Sequence, residues 1–101
     1  DGGVDAIGVP CGGGRPVFVQ CKHSGKGAKT QIDESAIGDL TRARQVHSQT
    51  YSHPVLAAAT NGRFSLATEN LALECGVRLF DSMRLHTLGP VLAELSRDSS
   101  H

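Results

Sequence analysis

The stretch His53-Pro-Val-Leu-Ala-Ala-Ala-Thr60 limits the fold more than any other part of the chain. From Val55 to Ala59 it is apolar without interruption, with Pro54 before it and Asn61-Gly62 after it. A strand with one wet face alternates apolar and polar residues, whereas a strand covered on both faces has no need to. A run this short between two breakers suits a strand better than a helix. It predicts a strand buried on both sides, as in a parallel sheet with helices above and below.

The flanking segments supply the other layers. Val4 to Val9 reads as a strand, 10–16 (PCGGGRP) as a turn cluster, and Val17 to Lys22 as a second strand, together a hairpin. Residues 23–30 (HSGKGAKT) form a basic loop. From Gln31 to about Ser48 the period lengthens: Ile32, Ala36, Leu40, Ala43 and His47 share a helix face, with Thr30 as N-cap and Asp33 and Glu34 in the first turn. A second helix runs from Ser65, its cap, to Cys75, with Ala67, Leu71 and Cys75 on its stripe and Gly76 as its stop. Val77 to Phe80 is a strand, and His53 is placed at the start of the 53–60 strand. Asp81 caps a last short helix that Gly89-Pro90 breaks, and Val91 to Leu95 add a turn or two before a frayed tail at 96–101. Strands alternating with helices give an α/β fold with a mixed sheet, in one domain over about residues 1–95.

Composition narrows the function. The chain has 101 residues and a hydrophobic content of 39%, which excludes a disordered chain. A formal net charge of zero excludes a surface that is basic throughout, but 15–29 holds Arg15, Lys22, His23, Lys26 and Lys29 with no acid among them. The three cysteines Cys11, Cys21 and Cys75 have no CxxC spacing, which argues against a disulfide framework or a four-thiolate zinc site and for a reducing, cytoplasmic setting. No apolar stretch approaches the ~20 residues of a membrane span, and no signal-peptide pattern is present. The chain opens on Asp1 without Met and reads as part of a longer protein.

The hairpin carries the chemistry. Alternation puts Phe18, Gln20 and Lys22 on one face of the second strand, and Val17, Val19 and Cys21 on the other, which is taken as the core side. A fold about Gly12-Gly13 sets Asp5 opposite Gln20. A carboxylate, a carboxamide and an ammonium then share one cross-strand neighbourhood. Mg²⁺ takes oxygen ligands of this kind, from Asp5, the Gln20 amide and the Cys21 backbone carbonyl. Lys22 would orient a water or stabilise charge developing on a phosphodiester. Spacing alone leaves a plainer reading open, in which Asp5 ends a turn and Gln20 and Lys22 face solvent. His23 reads as a bystander, His47 as a partly buried packing residue, and Cys21 as no nucleophile.

Asp1-Gly2-Gly3-Val4-Asp5, followed by the hairpin and Gln20-Cys21-Lys22, resembles the catalytic core of Mrr-type restriction endonucleases, a branch of the PD-(D/E)xK nucleases in which Gln-x-Lys replaces Glu-x-Lys. Residues 59–85 (ATNGRFSLATENLALECGVRLFDSMRL) are similar to that family's later segment, so the likeness covers about 1–88. It implies a restriction-endonuclease-like mixed sheet flanked by helices, and a DNA endonuclease that restricts foreign or modified DNA. It implies Asp5, Gln20 and Lys22 as catalytic residues and Mg²⁺ (or Mn²⁺) held by Asp5, Gln20 and the Cys21 carbonyl. It also implies a helix and a strand before the Asp-Gly-Gly stretch, with a Glu brought to the metal, and this chain is expected to lack them. DNA is the implied partner, with room for a homodimer and a separate target-recognition domain, and no membrane is involved.

Other basic residues fit the same substrate. Residues 25–30 (GKGAKT) lack the glycine spacing of a Walker loop. Beside the plain reading of a solvated loop, Lys26 and Lys29 are placed to touch DNA phosphates. Arg63 follows the C-terminal end of a central strand, a favoured ligand position in α/β sheets, where simple turn chemistry is the alternative. Two competing functions remain at this level: a non-catalytic DNA-binding or protein-interaction module on the same fold, and a small α/β domain that binds a nucleotide or a protein.

Overall fold

The structure is a computed structural model that describes residues 5–9, 14–22, 31–32 and 34–97. Its elements run β1 (Ala6–Gly8), β2 (Val17–Lys22), β3 (Gln31–Ile32), α1 (Ser35–Val46), β4 (Val55–Thr60), β5 (Arg63–Phe64), α2 (Leu66–Cys75) and β6 (Val77–Phe80), then a 3₁₀ turn (Leu85–Thr87) and α3 (Leu88–Arg97). The main sheet has the order β1-β2-β4-β6. β1 pairs antiparallel with β2, and β2, β4 and β6 are parallel, so the sheet is mixed as expected. Ala6 stands opposite Val19 and Ile7 opposite Phe18, the register expected for the hairpin.

β4 is central, and every one of its residues is buried. Leu56 and Ala58 join Phe18 and Val77 in one core layer with Ala36, Ile37, Leu40 and Ala43 of α1 and Ala72 of α2. Ala57 and Ala59 face the other way with Phe80, and Val19, Leu88, Val91 and Leu92 pack against them. The unbroken apolar run thus serves two cores, one on each face of the sheet. Among the described residues, no helix is long and apolar enough to cross a membrane.

Four local expectations need correction. α1 begins at Ser35 rather than near Gln31, because Gln31 and Ile32 pair in parallel with Arg63 and Phe64. Glu34 is its N-cap without a side-chain cap bond, while Thr30 and Asp33 lie outside the described residues. On α2 the Ser65 cap and the left-handed Gly76 stop (φ 73°) are as expected, but the inward face is Thr68 and Ala72, flanked by Leu71 and Cys75, and Ala67 is exposed. Gly89-Pro90 does not break the last helix. Pro90 lies in the first turn of α3, where a missing N–H leaves no helical bond unmade, and the helix continues through a buried Ser96. His53 does not start a strand: it bends the chain at φ 53°, and β4 begins at Val55. Arg15 braces that bend by donating from Nε to the His53 carbonyl at 2.9 Å.

Candidate active site

β2 carries the site because its face changes along its length. Phe18 is in the core, Gln20 is 6% exposed, and Lys22 at the end of the strand is half-buried. All three lie on the α1 side of the sheet. In the parallel pairing Gln20 stands beside Ala58 and Lys22 beside Thr60. The alanine leaves room over the sheet, and a third polar group occupies the space from above. Asp39 of α1 accepts hydrogen bonds through Oδ2 from Gln20 Nε2 at 3.1 Å and from Lys22 Nζ at 3.2 Å. Arg42 Nη1 approaches the other carboxylate oxygen at 4.0 Å.

The Gln20 oxygen is the exceptional atom. Oε1 is buried and has no hydrogen-bond partner among the described residues. An unsatisfied buried acceptor costs about 1–3 kcal/mol, and such atoms mark strain, function or an absent ion or water.

Asp5 reaches the same strand from its edge. Its backbone N–H donates to the Val19 carbonyl at 3.1 Å, and its Oδ2 accepts from the Cys21 N–H at 2.7 Å. Within a strand, the N–H and C=O of one residue point to the same side. The Cys21 carbonyl therefore faces the edge where Asp5 stands. Asp5 makes no hydrogen bond to Gln20 or Lys22 among the described residues; the lysine's carboxylate partner is Asp39.

Cys21 corrects an expectation. It was placed on the core side, yet it is exposed: the apolar cluster on that face takes in Val19 and does not include Cys21. Partial burial of the thiol, and then the negative charge of Asp5, push its pKa above the usual 9.0. The thiol stays protonated near neutrality, which fits no nucleophilic role.

Arg63 is exposed on β5, three residues beyond Thr60, at the same end of the sheet as Lys22. Lys26 and Lys29 lie outside the described residues. His47 is half-buried and meets the Phe18 ring edge-on at 5.8 Å, as expected of a packing residue. Asp39 was missed. It falls three residues after Ala36 and four before Ala43, on the inward side of α1, and an acid at that point of an apolar stripe is the signal that could have found it.

Among the described residues, no three His, Cys, Asp or Glu side chains gather as metal ligands. The oxygens that fit a hard divalent cation are of mixed kinds: the Asp5 carboxylate, the orphan Gln20 Oε1 and the Cys21 carbonyl.

A family model of restriction endonucleases, the Mrr catalytic domain, matches residues 1–88. The chain belongs to the Mrr-type restriction endonuclease family. Its mixed sheet with helices on both faces is that of a restriction-endonuclease-like domain, and membership places it among nucleases whose substrate is DNA. No curated protein and no solved structure matches the chain.

Proposed function

We propose that this domain hydrolyses phosphodiester bonds of DNA with the help of a divalent cation, as an Mrr-like restriction activity in the cytoplasm. The observation that carries this reading is the orphaned Gln20 Oε1, buried beside a lysine at the end of a strand whose edge bears Asp5. A structural glutamine gains nothing from an unpaired oxygen, whereas a ligand for a hard cation does.

Asp5, Gln20 Oε1 and the Cys21 carbonyl would hold Mg²⁺ or Mn²⁺, which supplies Lewis acidity at the phosphate. Lys22 places an ammonium at the open end of β2. There it stabilises negative charge developing on the phosphate or orients the attacking water. Its carboxylate partner keeps it directed while leaving further N–H donors for substrate. Arg63, together with Lys26 and Lys29, is proposed to contact backbone phosphates, which positions the duplex without reading its sequence.

The test is nicking of plasmid DNA in Mg²⁺ by the chain and by its Asp5→Ala and Lys22→Ala variants. Each variant is expected to lose about 10²–10³-fold in rate. Variants that nick as fast as the unmodified chain would remove these residues from the site. DNA binding without any cleavage would favour a non-catalytic module on the same fold.

A further inference from the structure

We infer that Asp39 is a positioning residue that fixes the Gln20 carboxamide with Oε1 turned toward a divalent cation. The inference rests on the cation site proposed above and extends it to a residue on another element.

An amide has two ends of similar shape and opposite hydrogen-bonding character. Asp39 Oδ2 accepts from Gln20 Nε2 at 3.1 Å. An ionised carboxylate has no proton to give, so the flipped amide would set Oε1 against it as acceptor against acceptor. Gln20 is 6% exposed, so solvent offers the flipped amide no alternative donor. Asp39 thereby decides which end of Gln20 is left over, and the end left over is the oxygen with no partner. The same Oδ2 takes the Lys22 ammonium at 3.2 Å, so one carboxylate oxygen orients both members of the Gln-x-Lys pair.

This geometry also bears on why position 20 is an amide. A carboxylate there would meet Asp39 without a proton between them, and two carboxylates at that separation cannot both stay ionised. With Gln20 present, the negative charge sits on α1 instead of β2. Positions 20 and 39 are coupled: an acid at one asks for an amide at the other.

Mn²⁺ binding to the chain, followed by electron paramagnetic resonance with circular dichroism as the check on folding, tests this. Asp39→Asn is expected to weaken Mn²⁺ binding about 10–100-fold, as the loss of a ligand-orienting partner does. Gln20→Glu alone is expected to weaken it as well, and Gln20→Glu combined with Asp39→Asn to bind Mn²⁺ more tightly than either single variant. An Asp39→Asn variant that binds within twofold of the unmodified chain, or a double variant no better than the singles, overturns the coupling and leaves the proposed nuclease site standing. An unmodified chain that does not bind Mn²⁺ overturns both. Should Asp39→Asn fail to fold, nuclear magnetic resonance of the unmodified chain decides. The Gln20 side-chain amide protons are expected to exchange slowly with water and to shift when Mg²⁺ is added, and fast exchange or an unmoved resonance overturns the inference.

Discussion

Replacing Gln20 with Met separates a functional glutamine from a structural one. The side chain is buried, with Nε2 bonded to Asp39 and Oε1 bonded to nothing among the described residues. Gln20→Met gives up one hydrogen bond to a charged acceptor, worth about 1.5–3 kcal/mol. It also removes the orphan oxygen, whose burial costs about 1–3 kcal/mol. Asp39 is not stranded, because Lys22 and Arg42 remain against it. The two effects offset, and the variant is expected within about 1 kcal/mol of the unmodified chain in urea unfolding, where domains of this size have slopes of about 1–3 kcal/mol per molar. Added cation should tell the two apart. Mg²⁺ at a hundredfold over its Kd stabilises a binding-competent chain by about 2.7 kcal/mol, a rise in Tm of the order of 10 °C for ~100 residues. Gln20→Met is expected to lose most of that rise. A variant destabilised by 3 kcal/mol or more that keeps the full Mg²⁺-dependent rise would refute the reasoning, since Gln20 would then be holding the fold and not the cation.

Gly76→Ala tests the helix stop. Gly76 has φ 73°, and a Cβ there meets nothing within 4 Å, so only backbone strain acts and a loss of about 1–2 kcal/mol is expected in thermal unfolding. Cys21, although exposed, is expected to react slowly with iodoacetamide at pH 7–8 in a Cys11→Ser/Cys75→Ser background, because burial and Asp5 hold the thiol in its protonated form. Asp5→Asn should speed that reaction by removing the second cause. The sign for stability follows: with the folded pKa raised, the stabilising contribution of this group is complete below the unfolded pKa near 9 and is lost as pH climbs through the folded value.

The architecture was legible in the chain where one residue type settles a local question. The apolar run at 55–59 requires cover on both faces, Ser65 and Gly76 bracket α2, and the hairpin register is the one read by centring the turn on Gly12-Gly13 in the sequence. What periodicity could not show depends on distant partners. Gln31 and Ile32 are strand only because Arg63 and Phe64 lie beside them, and Pro90 is compatible with a helix only at its first turn. At the site, Gln20 and Lys22 were readable because they share a face of one strand. Asp39 stands out only as an acid on the inward stripe of α1; its place at the site was not readable, because nothing along the chain ties position 39 to position 20. Cys21 was assigned to the wrong environment for a related reason: alternation gives the face a residue shares with Val19, and how far the packed cluster on that face reaches along the strand is set by tertiary packing.

The central claim is that one divalent cation is shared by the Asp5 carboxylate and the Gln20 oxygen. A crystal of the chain soaked in Mn²⁺ tests it through the anomalous signal of the metal. The account predicts a single strong peak at roughly 2.1 Å from both Gln20 Oε1 and an Asp5 carboxylate oxygen, the range for a hard cation in octahedral coordination. A peak held by Asp39 without Gln20 Oε1, or Asp5 and Gln20 both free of metal at saturating Mn²⁺, would contradict it.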